Sequence, residues 1–170
     1  MKVKFLLFAA VLVAGFSACK KDSNNSPAAT ADNTMSWTID GKSHTAKLVT
    51  FASSNYNTTD TAYFITAVDA LDTTENTMEV DVVFPNSVVK TGTYSDSSGL
   101  GTVLKYFGAK NSDIGFSTYK NYSVITITRA DSIVEGTFSG PILSTIDGTT
   151  IRPVTDGKFK VNLKTVTQTP

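Results

Sequence analysis

Where this chain is strongly patterned, apolar residues return at every second position. Thr77-Met78-Glu79-Val80-Asp81-Val82 alternates without a break, and Phe84 continues the apolar set. Period two is the mark of a strand with one covered face, because successive side chains point to opposite sides of a sheet. Met78, Val80, Val82 and Phe84 are expected to face inward, Glu79 and Asp81 to face water. Met35-Ser36-Trp37-Thr38-Ile39-Asp40 and Lys158-Phe159-Lys160-Val161-Asn162-Leu163-Lys164 repeat the pattern. In the second of these the lysines share one face, which suits a solvated strand and discourages pairing between sheet edges.

Other runs are apolar on both faces. Ala62 to Val68 reads as a strand covered on both sides. Tyr122 to Arg129 places Ile125 and Ile127 on one face, Tyr122 and Val124 on the other. Ile133 to Ser139 follows after Ala130-Asp131-Ser132, a gap of hairpin length. Turn signals punctuate the chain at Asp40-Gly41, Pro85-Asn86, Ser98-Gly99, Lys110 to Asp113, Asp147-Gly148 and Asp156-Gly157. Asp-Gly supplies the two left-handed positions of a tight hairpin. No long stretch after the N-terminal segment has helical spacing. Val103 to Ala109 has room for one helical turn at most, between Gly101 and Gly108. The fold expected is all-β, an antiparallel sandwich of about eight to ten short strands, with a closed barrel of lipocalin type as the alternative.

The N-terminus carries an address. Lys2 and Lys4 precede an apolar run, Phe5 to Phe16, of about 12 residues, well short of the roughly 20 that span a bilayer but suited to a signal segment. Phe16-Ser17-Ala18-Cys19 then resembles a lipobox, where a cysteine thiol is acylated and the chain is cut before it. Cys19 is the sole cysteine, so an internal disulfide and a cysteine-based zinc site are excluded. Ser23-Asn24-Asn25-Ser26-Pro27-Ala28-Ala29 has the composition of a tether. The organisation expected is signal peptide 1–18, lipidated tether 19–34, one β-domain 35–166 and a tail 167–170. About 135 residues can bury roughly two-thirds of their unfolded surface and need no staple.

Losing Lys2 and Lys4 from 15 basic side chains leaves 13 against 15 acidic. Without a basic surplus there is nothing to neutralise phosphates, so nucleic acid is not an expected partner.

Lys20-Lys21-Asp22 after Cys19 resembles the start of Bacteroidota lipoproteins. Trp37-Thr38-Ile39-Asp40-Gly41-Lys42, Thr91-Gly92-Thr93-Tyr94, Glu135-Gly136-Thr137-Phe138-Ser139-Gly140 and Val154-Thr155-Asp156-Gly157-Lys158-Phe159 are similar, in that order, to motifs of uncharacterised small lipoproteins of that group. The resemblance covers nearly the whole domain. It implies an all-β fold and an envelope location, anchored through lipid on Cys19 at the outer membrane, and it implies no reaction.

Candidate chemistry is sparse. His44, the one histidine, would be the base of a Ser-His-Asp set, but no Gly-x-Ser-x-Gly elbow accompanies it, and it is expected on an exposed strand. Glu79 with Asp81 would suit glycoside hydrolysis if they faced a cleft; Glu135 is a single carboxylate. Asp69, Asp72 and Glu75 share a loop, and Asp147 and Asp156 sit in others, without the spacing of a calcium loop. Tyr56, Tyr63, Tyr106, Tyr119 and Tyr122 could line a sugar- or ligand-binding face, since aromatic faces stack on the apolar faces of sugars; core packing is the simpler role. Phe107, Phe116 and Tyr119 flank glycine-containing loops and are the place to look for a ligand patch. The expectation is a membrane-anchored, non-enzymatic module without cofactor that binds glycan or protein. A lipocalin-like carrier of an apolar ligand is the alternative and a hydrolase the third class.

Overall fold

A computed structural model describes residues 33–71, 75–95, 102–109, 114–116 and 123–165. Eleven strands lie among them: β1 (Thr34–Ile39), β2 (Lys42–Thr45), β3 (Leu48–Asn55), β4 (Thr61–Val68), β5 (Thr77–Phe84), β6 (Gly92–Ser95), β7 (Val103–Phe107), β8 (Ile114–Phe116), β9 (Val124–Ala130), β10 (Ile133–Ser144) and β11 (Ile151–Asn162). Every pairing is antiparallel. Six strands run β6-β9-β10-β11-β1-β2 and four run β7-β5-β4-β3; the three-residue β8 is hydrogen-bonded between β7 and the far end of β10. The molecule is therefore a sandwich, as expected, and not a closed barrel: β2 and β3 end the strand order without pairing to each other.

The facing sides are filled. Met35, Trp37 and Ile39 of β1, Ile125 and Ile127 of β9, Val134 and Phe138 of β10 and Phe159 and Val161 of β11 meet Ile65, Met78, Val80, Val82, Phe84, Leu104 and Tyr106. A chain of ring contacts crosses this interior from Phe51 to Tyr63, Phe84 and Tyr94, each step 5.1 to 5.2 Å between centroids. Edge-on and offset geometry of this kind adds to the burial itself. The four inward positions foreseen on β5 are all buried, as are Ile125 and Ile127.

Several local expectations change. Val103–Phe107 is a strand, since Leu104 and Tyr106 alternate into the core. Asp156-Gly157 is not a turn. It lies inside the twelve-residue β11, where Asp156 takes a positive φ of 54° and the register slips against both neighbours. With a strand on each side, the extra residue becomes a bulge instead of a reversal. The Lys158 and Lys160 face belongs to this central strand and so guards no edge. Ser98-Gly99 and Lys110 to Asp113 lie outside the described residues.

Gly136 and Gly157, one in each of the two longest strands, make room for aromatic rings. Phe159 stands across from Gly136, and Phe138 across from Gly157. A Cβ on Gly136 would come within 2.7 Å of the Phe159 ring, and one on Gly157 within 2.5 Å of the Phe138 ring. Each glycine thus lets the opposite phenylalanine lie flat on the sheet. The Gly-x-Phe spacing in both motifs follows from this reciprocal packing.

Candidate functional site

The β1–β2 turn holds Asp40 and Gly41 at φ of 50° and 75°, the left-handed pair of a two-residue hairpin. A two-residue turn fixes the register outward: Ile39 pairs with Lys42 and Trp37 with His44. His44 therefore shares the inward face with Trp37. The rings stack 5.2 Å apart and 4° from parallel, and the His44 side chain is only 10% exposed. The exposed position expected for His44 is overturned by that register.

Asp69 follows β4 and Asn76 precedes β5, and the backbone N–H of Asp69 donates to the Asn76 carbonyl at 3.1 Å. The Asp69 carboxylate accepts from the Asn76 backbone N–H at 2.7 Å, from Asn76 Nδ2 at 3.0 Å and from His44 Nδ1 at 2.5 Å. Because a carboxylate only accepts, the imidazole carries its proton on Nδ1. Burial alone would raise the Asp69 carboxyl, but the Asn76 N–H, His44 and the Asn76 amide together hold it below its ordinary range. Tyr106 Oη donates to Asn76 Oδ1 at 2.9 Å. Arg152, from β11, lays its guanidinium 5.1 Å over the Tyr106 ring and donates from Nε to Asp40 at 2.6 Å. Burial pushes the Tyr106 hydroxyl up.

These side chains meet at one end of the sandwich, between the two sheets. Ile39, Asp40, Lys42 and His44 come from the first hairpin, Arg152 from β11, and Asn76, Tyr106, Gly108 and Ala109 from the other sheet. They line a cleft of about 460 Å³. That volume lies within the usual range for small-ligand sites. Its walls offer planar hydrogen-bonding groups on an aromatic base, held in position by a continuous network from His44 to Asp40. His44 Nε2 is buried and has no hydrogen-bond partner among the described residues. Asp69 orients the ring as it would a general base, but no serine is among the lining residues.

A second polar cluster lies on the outer face of the four-stranded sheet. Lys105 Nζ sits 2.7 Å from Glu79 and 2.6 Å from Asp81. Asp81 was expected to face water; it is only 5% exposed, and Ala62 and Val83 on the same face are buried too. Burial, reinforced by the neighbouring Glu79 charge, pushes the Asp81 carboxyl up to about 6 in spite of Lys105. Glu79, less buried and bonded also by Thr66, is held below its ordinary value by Lys105. Asp81 Oδ1 has no hydrogen-bond partner among the described residues.

The remaining sequence candidates are dispersed. Glu135 lines a shallow groove on the outer face of the six-stranded sheet and sits 3.4 Å from Arg129, which Asp131 also engages at 2.9 Å, and 3.8 Å from Lys160. Asp147 Oδ1 accepts from the Thr149 and Thr150 amides, and its Oδ2 from the Thr150 hydroxyl, so its oxygens close their own turn. Phe107 ends β7, half-buried, on the outer face with Lys105; Phe116 ends β8; Tyr119, Tyr122, Asp72 and Cys19 lie outside the described residues. Tyr63 and Tyr106 belong to the interior, and Tyr56 is 48% exposed. Lys42, Asn76, Tyr106 and Arg152 were missed as a set because they come from four separate segments. Only His44 left a usable signal, the count of residues through Asp40-Gly41.

No protein-family model, no curated protein and no solved structure matches this chain.

Proposed function

We propose that this protein is an envelope lipoprotein, acylated on Cys19, whose β-domain binds a glycan in the cleft between the β1–β2 turn, Tyr106 and Arg152. The observation that carries the binding role is the cleft itself: Asp40, Asn76 and Arg152 present planar donors and acceptors toward one space, each already held by a neighbour. Sugar hydroxyls are both donors and acceptors, and planar amide, carboxylate and guanidinium groups meet them at low ordering cost. Binding without turnover fits the lining, which pairs no nucleophile with His44. The lipid anchor rests on Phe16-Ser17-Ala18-Cys19 after the apolar run. The order of motifs from Trp37 to Phe159, which resembles Bacteroidota lipoproteins, supports the same envelope location. More than one acyl chain is needed for stable anchoring, as lipobox processing supplies.

Two measurements test this. Palmitate labelling of the full-length chain in a Gram-negative host should label wild type and leave Cys19→Ala unlabelled. A broad glycan array probed with the purified full-length protein should give binding that Lys42→Glu, at the exposed rim of the cleft, removes. An array with no captured glycan would end the glycan assignment, and a free Cys19 thiol with Met1 still present would end the anchor.

A further inference from the structure

The margins of the two sheets are unequal. β2 and β6 offer four residues each. β3 runs for eight, pairs with β4 at all eight positions, and has no strand on its other side among the described residues. Alternate backbone amides and carbonyls of Leu48–Asn55 therefore point outward along a straight margin. Natural sheets usually blunt such a margin with a charge, a proline or a bulge. Leu48-Val49-Thr50-Phe51-Ala52-Ser53-Ser54-Asn55 has none of the three.

We infer that the β3 margin is where two copies of this chain pair, edge to edge and antiparallel about a two-fold axis. Two observations select a second copy as the occupant. An uncharged strand meets itself without opposing like charges. The flanks are complementary under reversal: antiparallel pairing carries Lys47 of one copy to the turn after β3 of the other, where Tyr56 is 48% exposed and Asp60 holds a carboxylate bonded by Asn57 and the Asn86 amide. A two-fold axis makes both of these contacts at once, since each surface patch meets its own copy. Pairing also continues the four-stranded sheet across the axis, on the margin opposite β7. One strand pair buries less than the roughly 1,200 Å² of a stable interface, so the dimer is a weak one.

Sedimentation velocity of the full-length protein in detergent, from about 1 to 100 μM, reads this association in the range expected of a small interface. Wild type should move from monomer to dimer. Ala52→Lys places two lysines together across the axis at an exposed position and should weaken the dimer on the order of tenfold or more. Thr45→Lys, on the β2 margin, should leave it unchanged. As a second readout, Ala52→Cys should form oxidised dimers and Thr93→Cys on β6 should not; Cys19 is the only other cysteine. A wild type that stays monomeric throughout overturns the inference. So does a dimer indifferent to Ala52→Lys, or a margin that takes up unrelated extended peptides in place of its own copy.

Discussion

Two carboxylates, Asp69 and Asp81, sit in opposite situations within the same sandwich. Asp69 accepts three hydrogen bonds, from a backbone amide, a side-chain amide and an imidazole, and its carboxyl is held low. Asp81 shares one ammonium with Glu79, leaves Oδ1 without a hydrogen-bond partner among the described residues, and is pushed up to about 6. The contrast shows that a nearby cation does not by itself stabilise a carboxylate. The number of donors on its oxygens against the depth of its burial decides the sign.

The contrast breaks most visibly at Lys105. Lys105→Met leaves two carboxylates on the outer face with no counter-charge and is expected to cost about 3 kcal/mol at neutral pH. Urea denaturation measures it, and a change under 1 kcal/mol would mean that Lys105 compensates neither group. Second comes pH. A carboxyl raised in the fold contributes stability that is fully present below its unfolded value near 4 and lost as pH rises through about 6. Across pH 4.5 to 7, this one group is expected to remove about 2 kcal/mol. Asp60, Asp69, Glu79, Asp131 and Asp147 are lowered and act in the opposite direction, at the acid end of that window and below it. Asp81→Asn should flatten the decline; an unchanged slope would assign it elsewhere.

On the other side of the comparison, Asp69→Ala strips His44 and Asn76 of their acceptor and should cost about 2 kcal/mol. It should also reduce the loss of stability as pH falls toward 2, since Asp69 contributes only above its lowered value. Equal acid sensitivity in the variant would contradict the network. The smallest effect belongs to Tyr106→Phe, which removes one bond to Asn76 for about 1 kcal/mol and should weaken glycan binding at the cleft more than it lowers stability. Unaltered binding would detach Tyr106 from the site.

His44 and Asp81 also mark how far sequence reading reaches. The position of His44 could be counted: with two turn residues at Asp40-Gly41, position 44 must oppose 37, and Trp37 is plainly a core residue. Asp81 could not be placed. Alternation along β5 assigns Glu79 and Asp81 to the face opposite Met78 and Val80, and that assignment holds. What alternation does not contain is whether that second face meets water. Asp156-Gly157 errs for a related reason. The dipeptide permits a left-handed residue, and the strands on either side decide whether the chain reverses there or bulges. The cleft is the extreme case, since Asp40 and Arg152 are joined only by the fold.

The amino-acid order alone determined that this chain is all-β, where its first hairpin turns, and which side chains of β1, β5 and β11 point inward. Those properties follow from the two-residue period and from the left-handed tolerance of Asp-Gly, and both act over a few neighbouring residues. Tertiary structure decided that the strands form an open sandwich, that β3 is left at a margin, that Asp81 is buried, and that His44, Tyr106 and Arg152 share one end of the molecule. Each of these depends on pairings between segments far apart in the chain, and period two is the same whichever strands become neighbours.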